Sequence, residues 1–129
     1  MITIQSFTFN PFQENTYIAY DETKECIIVD PGCYDKSENL ILNNFIKKNY
    51  LKPVALVNTH CHLDHIFGNK FVAETYKLNP IMHKLDKPIL EYAPLAATTY
   101  GVHLETLPKV SHYIEEGDFI TFGNSKFEI

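Results

Sequence analysis

The chain has 129 residues, 45% of them hydrophobic and 21% charged, values that exclude an unfolded tail and suit one domain with its own core. Its 11 cations are all lysine and stand against 16 acidic residues, giving a net charge of −5. With neither a basic stripe nor an arginine fork, a nucleic-acid partner is not expected. No apolar run approaches a membrane span, and three cysteines make no disulfide framework. Met1 leads into Ile2-Thr3-Ile4 without a basic, then apolar leader, so the expected location is the cytoplasm.

In chain order, residues 1–9 alternate through Ile2 and Ile4 and then shift phase to Phe7 and Phe9, which predicts a strand with a bulge. Residues 16–20 and 25–30 predict two further strands around the charged turn Asp21-Glu22-Thr23-Lys24, ended by Asp30-Pro31-Gly32. Asp35 in N-cap position, Glu38 three residues on, and the spacing of Ile41, Leu42, Phe45 and Ile46 predict a helix that stops by Asn49. Val54-Ala55-Leu56-Val57 is a short apolar run with the character of a strand buried on both faces. A second helix is expected over 64–78, with Phe67, Phe71 and Leu78 on one stripe, then a short strand at 81–83. Residues 85–100 predict helix in pieces, interrupted by Pro88 and Pro94 and closed by Gly101. The tail predicts a hairpin of 119–122 and 125–129 around Gly123-Asn124. Strands, then strand–helix alternation, then a hairpin give a mixed α/β domain over 1–129.

The segment most informative about function is His60-Cys61-His62-Leu63-Asp64-His65, which follows the apolar strand directly. Residues two apart in an extended segment point the same way, so His60 and His62 can share one ion. Asp64 and His65 come where the chain bends toward a helix and can turn to a second ion. A polar loop of unrelated histidines is the alternative, but three imidazoles and a carboxylate in six residues favour a metal site. Imidazole with carboxylate suits zinc, iron or manganese rather than calcium. The carboxyl end of a buried strand is also where open α/β sheets keep their sites.

This motif resembles the hallmark of the metallo-β-lactamase superfamily. Asn15-Thr16-Tyr17 and Asp30-Pro31-Gly32 are similar to that family's N-terminal strands and the loop beside its metals, and Gly117-Asp118 with the Gly123-Asn124 hairpin also fits it. The stretch from Leu85 through Tyr100-Gly101-Val102 most resembles the small glyoxalase II-like hydrolases. The resemblance implies an αββα sandwich, of which this chain supplies the N-terminal part: one mixed sheet with helices on its outer face. It further implies a binuclear metal-dependent hydrolase of the glyoxalase II (hydroxyacylglutathione hydrolase-like thioesterase) type, with zinc at one or two positions. His60 and His62 would hold the first ion, and Asp64 and His65 the second. Asp64 would also orient a bridging hydroxide that attacks a small-molecule thioester or ester. A lactonase, a β-lactamase or a persulfide dioxygenase would keep the same residues, and a non-catalytic metal-binding fragment is the alternative of another class.

The family completes its site with a histidine in a Thr-Pro-Gly-His-like segment, a bridging aspartate and a final histidine, none of which is in this sequence. Residues 125–129 resemble the strand that leads into that segment, so the chain is expected to be truncated, to hold metal weakly and to be inactive alone. Phe127 and Ile129 are expected on an unpaired terminal strand, favouring self-association. Asp30 is a candidate acceptor that orients a ligand histidine. His83, His103 and His112 are expected on the surface or in packing. Cys61 is expected to point away from the ligands as a small buried residue, with Cys26 in the core. Tyr92 and Tyr100 could line a substrate pocket, but aromatic residues at helical spacing more often belong to the core.

Overall fold

The computed structural model describes residues 1–129, and its strands follow from where β-branched and aromatic residues cluster. β1 (Thr3–Phe9), β2 (Glu14–Tyr20), β3 (Glu25–Val29), β4 (Lys52–Asn58), β5 (Pro80–His83) and β6 (His112–Ile114) form one six-stranded sheet in sequence order. The first three strands run antiparallel through short turns. From β3 onward the pairing is parallel, each crossover carrying a helix: α1 (Lys36–Lys48), α2 (Asn69–Tyr76) and α3 (Lys87–Tyr100). β7 (Phe119–Phe122) and β8 (Ser125–Glu128) make a separate hairpin.

Strand alternation divides the core into two layers. On the outer face Ile18, Cys26, Ile28 and Leu56 pack against Leu42 and Ile46 of α1 and Val72 and Ala73 of α2. On the inner face Ala19, Ile27, Ala55 and Val57 meet Ile120 and Phe122 of the hairpin. β4 thus contributes to both layers, as its apolar run implies. The hairpin is tied down by Asp21, a buried carboxylate in the β2–β3 turn that accepts from Asn124 N at 2.8 Å and Ser125 Oγ at 2.8 Å.

Several expectations need correction. β1 has no bulge: seven consecutive pairs join it to β2, and Ile4 faces out at 58% exposure. The register shift lies instead between β3 and β4, at Cys26/Ile27, opposite Pro53, a residue with no N–H for a ladder bond. α2 starts at Asn69 rather than 64, because residues 63–65 form a 3₁₀ turn and Gly68 N is committed to Pro31 O at 2.7 Å. α3 is unbroken: Pro88 sits in the first turn, where no N–H partner is needed, and Pro94 is carried inside the helix. β6 was not anticipated, and the terminal strand is not unpaired, since Phe127 faces Ile120 in the hairpin ladder and Ile129 N donates to Asp118 O. The hairpin also covers part of the sheet's inner face. No helix is long and apolar enough to cross a membrane.

Candidate metal centre

The histidine cluster occupies the loop between β4 and α2, and that loop is held by polar residues on either side of it. Asn58, the last residue of β4, donates to His65 O at 3.2 Å. Asn58 and Asn69 exchange side-chain amide bonds at 2.9 and 3.2 Å, both fully buried, so the two ends of the loop are tied together. Across the sheet, Asn10 Nδ2 donates to Asp64 O at 2.9 Å and to Gly32 O at 3.0 Å, while Asn10 N donates to the Glu38 carboxylate. Glu38 also takes Tyr34 N at 2.8 Å, and Asp35 caps α1 by accepting Glu38 N at 2.9 Å. The helix cap read from sequence therefore doubles as an anchor for the β1–β2 loop.

Within this frame the His60 and His65 rings lie 3.8 Å apart and the His60 and His62 rings 5.0 Å apart. Asp64 Oδ2 is 3.6 Å from His65 Nε2, and ligand atoms of Asp30, His60 and His65 lie within 4.8 Å of one another. All four motif residues and Asp30 are thus neighbours, although the tightest group is Asp30, His60 and His65, with His62 and Asp64 turned toward an adjoining cleft. Asp30 is 2% exposed and has a positive φ of 52°. One of its oxygens accepts Thr59 N at 2.7 Å; the other accepts the Thr59 hydroxyl and sits 3.0 Å from His65 Nδ1. Both carboxylate oxygens are thus engaged inside the protein, while Asp30 also belongs to the tightest ligand group with His60 and His65. Thr59 Oγ1 is also 3.0 Å from His60 Nδ1, which leaves His60 Nε2 as its outward donor.

Glu14 is the residue that sequence reading missed most completely. It is 4% exposed, and its Oε1 lies 3.3 Å from His65 Nδ1; both atoms are buried without a hydrogen-bond partner. Its Oε2 accepts the hydroxyl of Thr16, which in turn receives Gly32 N and donates to Asp30 O. The available signal was alternation: Glu14 and Thr16 are the polar residues on the face of β2 that continues as Ile18. A Cβ on Gly32 would lie 2.2 Å from Glu14 Oε2 and 2.7 Å from both Asn10 Nδ2 and Asp64 O. Gly32→Ala should therefore force the loop apart and cost about 1–3 kcal/mol in urea unfolding, the usual range for overpacking.

Burial pushes the Glu14 carboxyl up to about 8, a rise that the Thr16 hydrogen bond and His65 only partly oppose. Burial lowers His60 as well, aided by His65, so its imidazole is held neutral as a ligand requires. For His65, burial pulls the same way, but Asp30 beside it, with Asp64 and Glu14, outweighs burial and holds the ring above its usual value. Three imidazoles and three carboxylates, two of the carboxylates buried, are drawn together here, and the donor set fits a zinc- or iron-class ion.

In the metal-free chain, Glu14 keeps its proton to higher pH in the fold than in the unfolded chain, so its contribution to stability is fully present below about pH 4.5. That contribution fades as pH rises toward 8, by up to ~1.4 kcal/mol per pH unit. Glu14→Gln should remove this slope, and urea unfolding at pH 5, 6.5 and 8 measures it.

The remaining candidates are placed as follows. His83 Nδ1 accepts Leu85 N at 3.0 Å and caps a turn, while His103 and His112 are exposed. Cys61 is buried against Met82 at 3.4 Å, and burial pushes its thiol up to about 12, the behaviour expected of a small core residue. Cys26 and Cys33 are likewise buried. Tyr92 and Tyr100 depart from expectation: they are 58% and 65% exposed and wall a cleft of about 720 Å³ beside His62 and Asp64.

A mixed sheet with a histidine–aspartate knot at the carboxyl end of its central strand defines an α/β domain with a candidate metal centre. The chain belongs to the metallo-beta-lactamase superfamily, whose family model matches residues 9–129. It is 33% identical over 118 residues to a hydroxyacylglutathione hydrolase of Wigglesworthia glossinidia brevipalpis, covering 90% of this chain and 38% of that protein. Among solved structures it is similar to the BLEG-1 B3 metallo-beta-lactamase, with a TM-score of 0.82, 26% identity, and 98% and 59% of the two chains covered. It is also similar to TTHA1623 in a di-iron-bound form, with a TM-score of 0.75, 31% identity, and 88% and 55% covered. The chain spans about half the length, or less, of the first curated relatives it matches, 49% and 38%.

Proposed function

We propose that this chain is the metal-binding part of a thioester hydrolase of the glyoxalase II type, with His60, His62, Asp64 and His65 as its share of a binuclear site. The observation that carries the reading is the convergence of His60 and His65, their rings 3.8 Å apart, with His62 and Asp64 facing an open cleft. Zinc is the preferred ion, with iron or manganese compatible with the same donors. Such an ion supplies Lewis acidity at a carbonyl and a water acidic enough to attack it near neutral pH. The chain's own residues supply order: Thr59 fixes His60, Asp30 and Glu14 fix His65, and Asn10 holds the backbone of Asp64. The hydroxyacylglutathione hydrolase relatives support a thioester over a lactam.

A catalytic zinc takes three protein ligands and a water. Here each ion has two, so the isolated chain should hold metal loosely and turn over nothing. The test is a panel of thioester, lactone and β-lactam substrates offered to the longest natural protein that carries this chain. Thioester turnover that disappears with His60→Ala supports the reading. A zinc-loaded protein that hydrolyses none of the three overturns it.

A further inference from the structure

The cleft beside the histidine knot has a chemical character that thioester hydrolysis does not itself require. It runs from His62 and Asp64 along one face of α3, where Tyr92, Ala96 and Tyr100 stand at i, i+4 and i+8. Phe12, from the loop between β1 and β2, closes the opposite side with its ring edge-on to Tyr100 at 5.6 Å. Phe12, Tyr92 and Tyr100 are 42%, 58% and 65% exposed, although rings of this size normally seek cover. Eight of the eleven residues around the cleft are hydrophobic, none is lysine, and the one carboxylate, Asp64, stands at the end nearest the ligands.

We infer that this cleft binds an uncharged apolar arm of the substrate, aryl or branched alkyl, joined within a few bonds of the scissile carbonyl, and rejects an anionic arm. The side of the carbonyl that is attacked follows from the proposed hydrolase reading, but the apolar selectivity rests on the cleft alone. The reasons are physical. An apolar arm between three aromatic rings leaves water favourably, and the cleft's one charged group, Asp64, lies only at its ligand end. In the metal-free chain an anionic arm would lose its hydration, find no lysine in exchange and lie near Asp64. Ala96, small and half-buried between the two tyrosines, sets the width of the slot.

Two ketones that cannot be hydrolysed test the cleft on the metal-free chain by NMR: 4-phenyl-2-butanone, with a neutral aryl arm, and levulinate, with an anionic one. The expected result is that the phenyl ketone shifts the ring protons of Tyr92 and Tyr100 and binds at least tenfold more tightly than levulinate. Ala96→Phe, which fills the slot, should weaken it at least tenfold. Should that variant misfold, Tyr92→Ala, judged by an unchanged amide spectrum elsewhere, should weaken it several-fold. Equal binding of the two ketones, or phenyl-ketone binding indifferent to the folded variant, overturns the inference.

Phenylacetyl ethyl thioester and S-benzyl thioacetate, offered to the longest natural protein carrying the chain, place the arm on the acyl or the thiol side according to which is cleaved faster. If the phenyl ketone binds as expected and no thioester, hydroxyacyl ones included, is cleaved, the hydrolase reading fails while the cleft stands. If hydroxyacyl thioesters are cleaved tenfold faster than both, the cleft inference fails and the hydrolase reading stands.

Discussion

Replacing His60 by alanine should abolish zinc uptake and, in the longest natural protein carrying this chain, reduce thioester hydrolysis to background. His60 is central to the knot, 3.8 Å from the His65 ring and 5.0 Å from that of His62, so each way of sharing the donors between ions uses it. Its Nδ1 is occupied by the Thr59 hydroxyl, and its imidazole is neutral, so Nε2 is a donor that needs neither a proton lost nor a ring turned. Removing a group that merely orients a ligand costs roughly 10–100-fold in metal affinity; removing the ligand should cost more. Asp64→Ala should have a similar effect on turnover, because it deprives the His65 side of the one carboxylate there that is not fully buried. Zinc content after dialysis, and competition with a chromogenic chelator, measure the loss. The unmodified 129-residue chain should already show substoichiometric, chelator-labile zinc. Two tightly held ions per chain with thioesterase activity would show that two donors per ion suffice. A His60→Ala/Asp64→Ala double variant with undiminished metal and turnover would falsify the hydrolase assignment.

What could be read from the sequence was what local chemistry determines. The cap at Asp35, the doubly buried β4, the Gly123-Asn124 hairpin and the histidine motif each announce themselves within a few residues, and the structure keeps them. The surroundings of the motif were less legible because they are assembled across the chain. Asn10 reaches Asp64 over 54 residues, and Asp30 reaches Thr59 over 29. Glu14 looks in sequence like an ordinary charge at a strand start, and only the fold turns it inward beneath Gly32. The Asn58–Asn69 pair is similarly invisible, since each amide alone reads as a turn residue. Pro94 misled in the opposite direction. A proline inside a helix forfeits one bond, and α3 survives because Ala93 and Ala97 on its buried side keep their packing. Tyr92 and Tyr100 have helical spacing that suits a core, yet the face they share opens on the cleft, a fact set by how α3 sits over Cys61 and Met82.

Asp30→Ala should be the most destabilising single change at the site, by about 3 kcal/mol or more, because three separate losses coincide. Thr59 N and the Thr59 hydroxyl lose a charged acceptor, each such bond being worth roughly 1.5–3 kcal/mol. His65 Nδ1, 3.0 Å away and buried, loses the carboxylate that helps keep its ring charged against burial. The backbone at φ 52° then carries alanine, which is strained there by roughly 1 kcal/mol where aspartate and asparagine are better tolerated. Asp30→Asn separates these terms, since it suits the backbone and retains one acceptor for Thr59 but removes the charge beside His65.

The sign of its pH dependence follows from His65, whose value is raised in the fold. The stability that the pairing contributes in the metal-free chain is fully present below about pH 6.5. It is lost as pH rises through the higher folded value. Asp30→Asn should therefore destabilise most near pH 5.5 and progressively less toward pH 8, with the His65 ring titrating at lower pH than in the parent chain by NMR. Asp30→Ala should add a pH-independent penalty on top. Urea unfolding of both variants across that range distinguishes the terms. If Asp30→Asn is equally destabilising at pH 5.5 and pH 8 while the His65 titration stays put, the carboxylate acts through Thr59 alone and does not orient His65.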